Sequence, residues 1–340
     1  MQRAIEIARL AEGRVAPNPL VGCVIVHHNQ IVGEGYHAFF GGPHAEVNAI
    51  NSVENKSLLS ESTLFVTLEP CAHHGKTPPC SDLIVAMGIP RVVVGCEDPF
   101  EAVNGKGIKR LQDAGIEVVV GVLREECRHL NRRFFTFHEK KRPFVVLKWA
   151  QSADGFIDIN RADGRLGSFS ISHPDTKELV HTWRAEEAAI LIGKNTLLTD
   201  NPSLTVREVM GKNPIRLVLS SSRVDLQDKE LGNHAAPTWV LTNNASELQG
   251  HVRYLACGDV HHLDKVLDLL YRENVLSVLV EGGAHTLQSF IDAGLWEEAR
   301  VIVGAAHLND GLLAPRLVGD CLQQQQSATD VIYYYRNPRD

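Results

Sequence analysis

No apolar run among the 340 residues approaches the roughly 20 needed to cross a bilayer as a helix, so membrane-spanning readings find no support. Positive charge is not in excess either. The chain has 34 Lys and Arg against 41 Asp and Glu, a net −7. That argues against wrapping nucleic acid by bulk charge, while leaving room for a locally positive pocket. Cysteines are few, odd in number and thinly spread, at positions 23, 71, 80, 96, 127, 257 and 321. This suits a reducing cytosol with metal-binding or catalytic thiols better than a disulfide framework. The first ten residues alternate charge with apolar side chains, as an amphipathic helix does. They lack the uncharged apolar stretch of a signal peptide, and a cytoplasmic location is expected. There is no internal repeat. The single low-complexity tract, Gln323 to Gln326, is expected to be a surface segment followed by an edge strand through Tyr333, Tyr334 and Tyr335.

What is present is 44% hydrophobic residues, enough for one or two cores, and the length suggests two domains. Val21 to His27 and Ile31 to Tyr36 read as a hairpin turning at His28-Asn29-Gln30. Strand-like runs at Thr63 to Leu68, Arg91 to Gly95 and Ile116 to Val120 alternate with helical ones at His44 to Val53, Cys80 to Met87 and Lys109 to Ala114. Such alternation implies an α/β layer with part of its sheet parallel. Arg124 to Arg142 is rich in arginine and lysine and reads as a solvated helix and linker, with Pro143 at the boundary. From Phe144 strands and helices alternate again. The expected domains are therefore residues 1–142 and 143–340.

The strongest chemical signal is His44-Ala45-Glu46 with Pro70-Cys71 and Cys80. One imidazole and two thiolates suit zinc and leave a fourth position for water. Zinc acidifies water to a pKa of about 7. Glu46, two residues past His44, is placed to move protons rather than to bind metal. Cys71 and Cys80 flank the start of a helix whose backbone N–H groups favour thiolates. A bland reading makes these a capping His, an exposed Glu and two buried Cys. A fourth ligand from His73 or His74 would instead make the site structural.

The H-x-E followed by P-C and a later Cys resembles the zinc-dependent cytidine deaminase-like fold. The eight residues between Cys71 and Cys80 depart from the usual P-C-x-x-C. That insertion, taken with Ala16-Pro17-Asn18-Pro19-Leu20-Val21-Gly22, Gly33-Glu34-Gly35-Tyr36-His37 and Val66-Thr67-Leu68-Glu69-Pro70-Cys71, resembles the bifunctional deaminase–reductases of riboflavin biosynthesis. The resemblance runs over nearly the whole chain. It implies an α/β protein with an N-terminal cytidine deaminase-like domain and a C-terminal dihydrofolate reductase-like domain. It also implies that Asn18, His37, His73 and Lys76 hold a pyrimidine and its ribose phosphate. Val103-Asn104-Gly105-Lys106-Gly107 is similar to a Gly-Arg-Gly loop of that family, with Lys106 in place of a bidentate Arg.

In the second half, Val280-Glu281-Gly282-Gly283-Ala284 ends an apolar strand and precedes a helix, a turn that can approach a phosphate. Leu147 to Gly155, Asp200 to Arg207 and Glu281-Gly282-Gly283 resemble the reductase domain of the same family, which uses NADPH. The resemblance implies sugar-phosphate contacts at Ser168, Arg184, Leu204, Arg207 and Glu281. It places Ala150, Thr196, Asp200, Ser221, Gly283, Ala284, His285, Thr286, Leu287, Gln288 and Ser289 along the dinucleotide. Ser170, also on that wall, stands where many relatives carry a cofactor-facing Trp and offers no ring for stacking. The segment Ile157 to Gly167 is longer than in relatives and carries Arg161, Asp163 and Arg165.

The implied chemistry is hydrolytic deamination of 2,5-diamino-6-(5-phosphoribosylamino)pyrimidin-4(3H)-one, then NADPH reduction of the ribosyl side chain at C1′. The expected cofactors are Zn2+ and NADPH. The expected partners are small pyrimidine ribosyl phosphates, without nucleic acid or membrane, in a homo-oligomer. Alternatives are a nucleic-acid deaminase of the tRNA type and a zinc-stabilised binding protein without catalysis.

Overall fold

Short β-branched runs set off by Gly, Pro and Asn become strands in both halves of the chain. The computed structural model describes residues 1–72, 78–101 and 103–339, and it divides into two compact units, Met1–Lys140 and Lys141–Asp340.

In the first unit, helix α1 (Gln2–Arg9) precedes strands β1 (Gly22–His27) and β2 (Gln30–Tyr36). The turn between the strands has only two residues, because Gln30 already pairs with His27. His28 and Asn29 both take positive φ, 46° and 64°. That is the backbone a tight hairpin with right-twisted strands requires. Strand β3 (Thr63–Leu68) runs antiparallel to β1, and β4 (Arg91–Cys96) and β5 (Glu117–Val120) follow it in parallel, giving the order β2-β1-β3-β4-β5. Helices α2 (Ala45–Ser52), α3 (Cys80–Ala86) and α4 (Lys106–Asp113) provide the crossovers. Ile25, Leu64, Val66, Val92 and Val94 of the sheet pack with Ala49, Ile50, Ile84 and Leu111 of the helices.

The basic stretch before Pro143 is not the solvated linker its charge suggests. It forms α5 (Arg124–Leu130) and α6 (Arg132–Lys140). Cys127, Leu130, Phe134 and Phe135 are buried with Ile5, Ala8, Leu68 and Cys96. Arg128 lies over the Phe135 ring and pairs with Glu139. The helices turn these apolar side chains inward, and burying each large one is worth about 1.5–3 kcal/mol.

The second unit is built on a ten-stranded sheet. Its strands are β6 (Phe144–Gln151), β8 (Ala189–Gly193), β9 (Ile215–Ser220), β10 (Thr238–Thr242), β11 (Glu247–Gln249), β12 (Val252–Ala256), β13 (Ser277–Val280), β14 (Glu298–Val303), β16 (Asp320–Ser327) and β17 (Asp330–Arg336). Short β7 (Phe156–Asp158) and β15 (Leu312–Leu313) pair separately. The order is β11-β12-β10-β9-β8-β13-β6-β14-β17-β16, parallel from β12 to β14 and antiparallel at both margins. Helices α7 (Lys177–Glu186), α8 (Lys194–Asp200), α9 (Leu263–Arg272) and α10 (Ala284–Ala293) accompany it. Alternate residues of β6 enter opposite cores, Val145 and Leu147 on one face, Phe144 and Val146 on the other. Both faces are covered, as a parallel sheet demands.

The glutamine tract corrects the sequence reading. It is itself strand β16 and forms the edge, while the tyrosine strand β17 lies inside, paired on both sides. Ile332 of β17 is fully buried, whereas the glutamines of β16 are mostly solvated, and polar side chains suit an open edge. Among the described residues no helix is long and apolar enough to cross a membrane.

Candidate active sites

In the first unit the C-terminal end of β3 meets the N-termini of α2 and α3. Ligands favour such strand ends in parallel sheets. His44 is the extended residue before α2, Glu46 lies in that helix's first turn, and Cys80 opens α3. Cys71 follows β3 after Glu69 and Pro70. Its Sγ accepts the backbone N–H of Cys80 at 3.3 Å. The ligand atoms of His44, Cys71 and Cys80 all lie within 4.8 Å of one another. His44 Nδ1 is 3.6 Å from Cys71 Sγ and 3.3 Å from Cys80 Sγ. Zinc bonds of about 2.3 Å to sulfur and 2.0–2.1 Å to nitrogen, at a tetrahedral angle, separate such donors by about 3.5 Å. The donor set therefore fits zinc in both chemistry and spacing.

Electrostatics agree. The Cys71 thiol is pulled down to about 4 by its hydrogen bonds with Cys80 and then with His44, while Cys80 is pushed up by Cys71 and by burial. The pair therefore gives up its first proton easily. Glu46 is buried rather than exposed, and burial, with the nearby Cys71 charge, raises its carboxyl to about 7. That range lets one group both accept and return a proton near neutrality.

His37 sits beside this cluster, its ring edge-on to that of His44 with centroids 5.7 Å apart. Its Nδ1 lies 3.0 Å from the Pro43 carbonyl oxygen, and its Nε2 lies 3.0 Å from Asn18 Nδ2. A carbonyl can only accept, so Nδ1 carries the proton and Nε2 accepts from the Asn18 amide. Burial lowers the His37 pKa and keeps the ring in this neutral form. Both ring nitrogens are thus engaged, and the side-chain oxygen of Asn18 is the group left to face a ligand. His73 and Lys76 lie outside the described residues.

Sequence reasoning missed Glu69. Its Oε2 accepts from the backbone N–H of Asp98 and Gly105, at 3.2 and 2.9 Å. Its Oε1 accepts from Gly107 and Ile108, at 2.8 and 3.2 Å. One carboxylate thus ties the 98–108 segment to the strand end that carries Cys71. Gly107 is required here, because a Cβ would stand 1.9 Å from the Pro70 carbonyl oxygen. Lys106 directs its ammonium to the Glu101 carbonyl. Nearby Asp98, raised to about 6 chiefly by burial, was also missed.

The second unit holds a cavity of about 1430 Å³ lined by residues of β6, α7, α8, β9 and α10 and by Glu281, just past the end of β13. Arg184 and Glu281 face each other through two hydrogen bonds, at 3.0 and 2.8 Å, with little solvent access. Burial alone would raise Glu281, but Arg184 and then Lys148 overcome it and hold the carboxylate at about 2. Arg207 is exposed at the wall, its Nη1 bound to Ser203 and Thr205. Its backbone N–H donates to His181 Nδ1, whose pKa falls to about 4 through burial and then the two arginines. The turns before α8 and α10 touch. Gly283 N–H donates to Thr196 Oγ1 at 2.9 Å, and a Cβ on Gly282 would stand 2.6 Å from Gly193 N.

Comparison with known proteins decides the family. Residues 143–330 match the RibD C-terminal domain, and residues 1–96 match the cytidine and deoxycytidylate deaminase zinc-binding region. The riboflavin biosynthesis protein RibD of Bacillus amyloliquefaciens is 41% identical over 94% of this chain and 86% of its own length. That of Aquifex aeolicus is 39% identical over 92% and 88%. The chain belongs to the RibD family.

A solved structure from Thermotoga maritima, described as a diaminohydroxyphosphoribosylaminopyrimidine deaminase/5-amino-6-(5-phosphoribosylamino)uracil reductase, is 38% identical. It superposes with a TM-score of 0.87, covering 99% of this chain and 97% of its own. Like its RibD relatives, this protein is a bifunctional enzyme of riboflavin biosynthesis. It has a zinc-binding cytidine deaminase-like domain and an NADPH-dependent reductase domain of dihydrofolate reductase-like fold. The nucleic-acid deaminase alternative is not favoured, since more than half the chain is the RibD reductase domain.

Within that RibD half, Ser168, Arg184, Arg207 and Glu281 line the cavity, together with Ala150, Ser170, Thr196, Asp200, Ser221, Gly283, Ala284, His285, Thr286 and Ser289. Leu204, Leu287 and Gln288 are not part of its wall. Leu287 is fully buried in the core beneath α10, and Gln288 is bound to Asp292 and to the Arg316 N–H. Helical periodicity turns these two away from the cavity. Leu204 is buried with φ +52°, so its backbone rather than its side chain shapes the Ser203–Thr205 turn. Ser170 directs its hydroxyl to the Ser172 carbonyl. The long 157–167 segment is folded down by Arg161, which pairs with Asp158 at 2.6 Å and Asp200 at 3.6 Å and donates to the carbonyls of Arg165 and Gly167. Lys148, whose pKa burial lowers, lines the same cavity and was missed.

Proposed function

We propose that residues 1–142 deaminate 2,5-diamino-6-(5-phosphoribosylamino)pyrimidin-4(3H)-one and that residues 143–340 reduce the resulting aminouracil's ribosyl chain to ribityl. The observation that carries the reading is a buried Glu46 carboxyl set beside three donor atoms spaced for one ion. His44, Cys71 and Cys80 would hold zinc. When bound, zinc makes water acidic enough to attack carbon near neutral pH. Glu46 takes the proton that water loses and returns protons to the ring nitrogen and the departing amine, so that ammonia leaves. Asn18, oriented by His37, presents its amide oxygen to the pyrimidine edge, and His73 and Lys76 are assigned to the ribose phosphate by family resemblance.

In the reductase half, Arg207 and Ser168 bind the sugar phosphate, and the Arg184–Glu281 pair contacts the sugar from the inner wall. The α10 N-terminus, with Thr196, Asp200 and Ser221 opposite, receives the dinucleotide. NADPH, when bound, supplies the hydride, and the surrounding side chains fix its position relative to C1′.

The test follows ammonia release and NADPH absorbance in parallel on the diaminopyrimidine substrate. Glu46→Gln is expected to lower deamination about 10²–10⁴-fold with zinc retained, the range general acid–base catalysis supplies. Turnover that survives this change refutes the proton-transfer role. Cytoplasmic residence is part of the proposal and accords with seven unpaired cysteines. So is a homo-oligomer, for which exposed Leu312, Leu313, Val318 and Leu322 offer apolar surface. A monomer mass by light scattering would refute that assembly.

A further inference from the structure

His27 and His28 have no part in either site. In a regular strand, adjacent side chains point to opposite faces. Here the left-handed backbone of His28, φ 46°, ends the alternation and brings the two rings together, with centroids 4.0 Å apart. Glu61, the last residue of the 3-10 helix Lys56–Glu61, reaches the same point. It arrives there because β3, which begins two residues later, pairs with β1 through Val26 and Thr63. His27 Nε2 and Glu61 Oε2 are 3.8 Å apart. That is too long for a hydrogen bond, yet it suits two donors sharing one ion, since two bonds of about 2.1 Å can span up to about 4.2 Å. One donor atom from each of the three side chains lies within 4.8 Å of the others.

We propose that His27, His28 and Glu61 form a second metal site, for a borderline divalent transition cation such as zinc. Two imidazoles and a carboxylate are donors that such ions accept, with water completing the shell. His28 and Glu61 are exposed and His27 is half-buried, so the ion exchanges with solvent. The site clips the β1–β2 turn to the segment entering β3. It lies at the far end of β1 from Gly22, whose N–H meets Thr67 beside the first site. Five residue steps of strand put about 17 Å between the two ends. Its role is binding and not turnover.

The test uses the 340-residue chain, dialysed and titrated with zinc while bound metal per chain is measured. Two equivalents are expected, the second removable by a weak chelator that leaves the first in place. His28→Ala combined with Glu61→Gln should abolish the second equivalent, leaving the first equivalent and deamination unchanged. Both positions are exposed, so the fold should tolerate the changes. A single equivalent in the unmodified chain overturns the proposal, as does a second that persists in the double variant. Absence of the first equivalent would instead strike at the deaminase reading, so the two failures are distinguishable.

Discussion

Replacing Glu69 by glutamine exchanges one of two carboxylate oxygens for an amide nitrogen that donates. Each oxygen takes two backbone N–H groups, Asp98 with Gly105 on Oε2 and Gly107 with Ile108 on Oε1. Whichever way the new amide turns, one pair of donors loses its acceptor and faces another donor. A buried donor left unsatisfied costs about 1–3 kcal/mol, so the pair costs at least about 2 kcal/mol. At a factor of ten per 1.4 kcal/mol, local opening of the 98–108 segment becomes about thirtyfold more frequent. Hydrogen exchange on the zinc-loaded 340-residue chain reads this directly, as lost protection at one pair of amides with the sheet unaffected. The deaminase KM should rise with it, because Gly105 and Lys106 belong to the released segment, while bound zinc should persist. Unchanged protection together with unchanged KM would show that the four hydrogen bonds do not hold the segment, and the reasoning would fall.

Arg207→Ala should raise the reductase KM about 10–100-fold, the loss of a hydrogen bond between charged partners at about 1.5–3 kcal/mol, and leave deamination untouched. A fall in both activities would refute the division of labour. Glu281 is held at about 2 against an ordinary 4.5, chiefly by Arg184 and Lys148 overcoming burial. A depressed carboxyl stabilises the fold above its unfolded pKa, and that stability is lost as pH falls through the folded one. Urea denaturation of the reductase half should therefore show a steep loss between pH 4.5 and pH 2 that Glu281→Gln flattens. A slope unaltered by that change would count against it.

The metal cluster was legible in the sequence because each of its parts stands at an element end marked by Pro or Gly. His44 follows Pro43, Cys71 follows Pro70 and Cys80 follows Pro79. The Glu69 cradle was not, since its donors lie 29 to 39 residues away and are backbone groups, which no side-chain pattern announces. The arginines of 124–142 masked a buried aromatic face, because a charge count ignores which side of a helix each residue occupies. The central parallel strands were readable as apolar runs. The polar β16 was not, since an edge strand buries too little to leave a hydrophobic signature. Resemblance carries Leu287 and Gln288 over as positions along a helix, whereas their place off the cavity wall follows from the helix's faces.

Each sheet closes within its own continuous stretch of chain, residues 1–140 for one and 141–340 for the other. No strand is borrowed across that boundary. A substitution that breaks a strand of one sheet therefore leaves every strand pairing of the other in place.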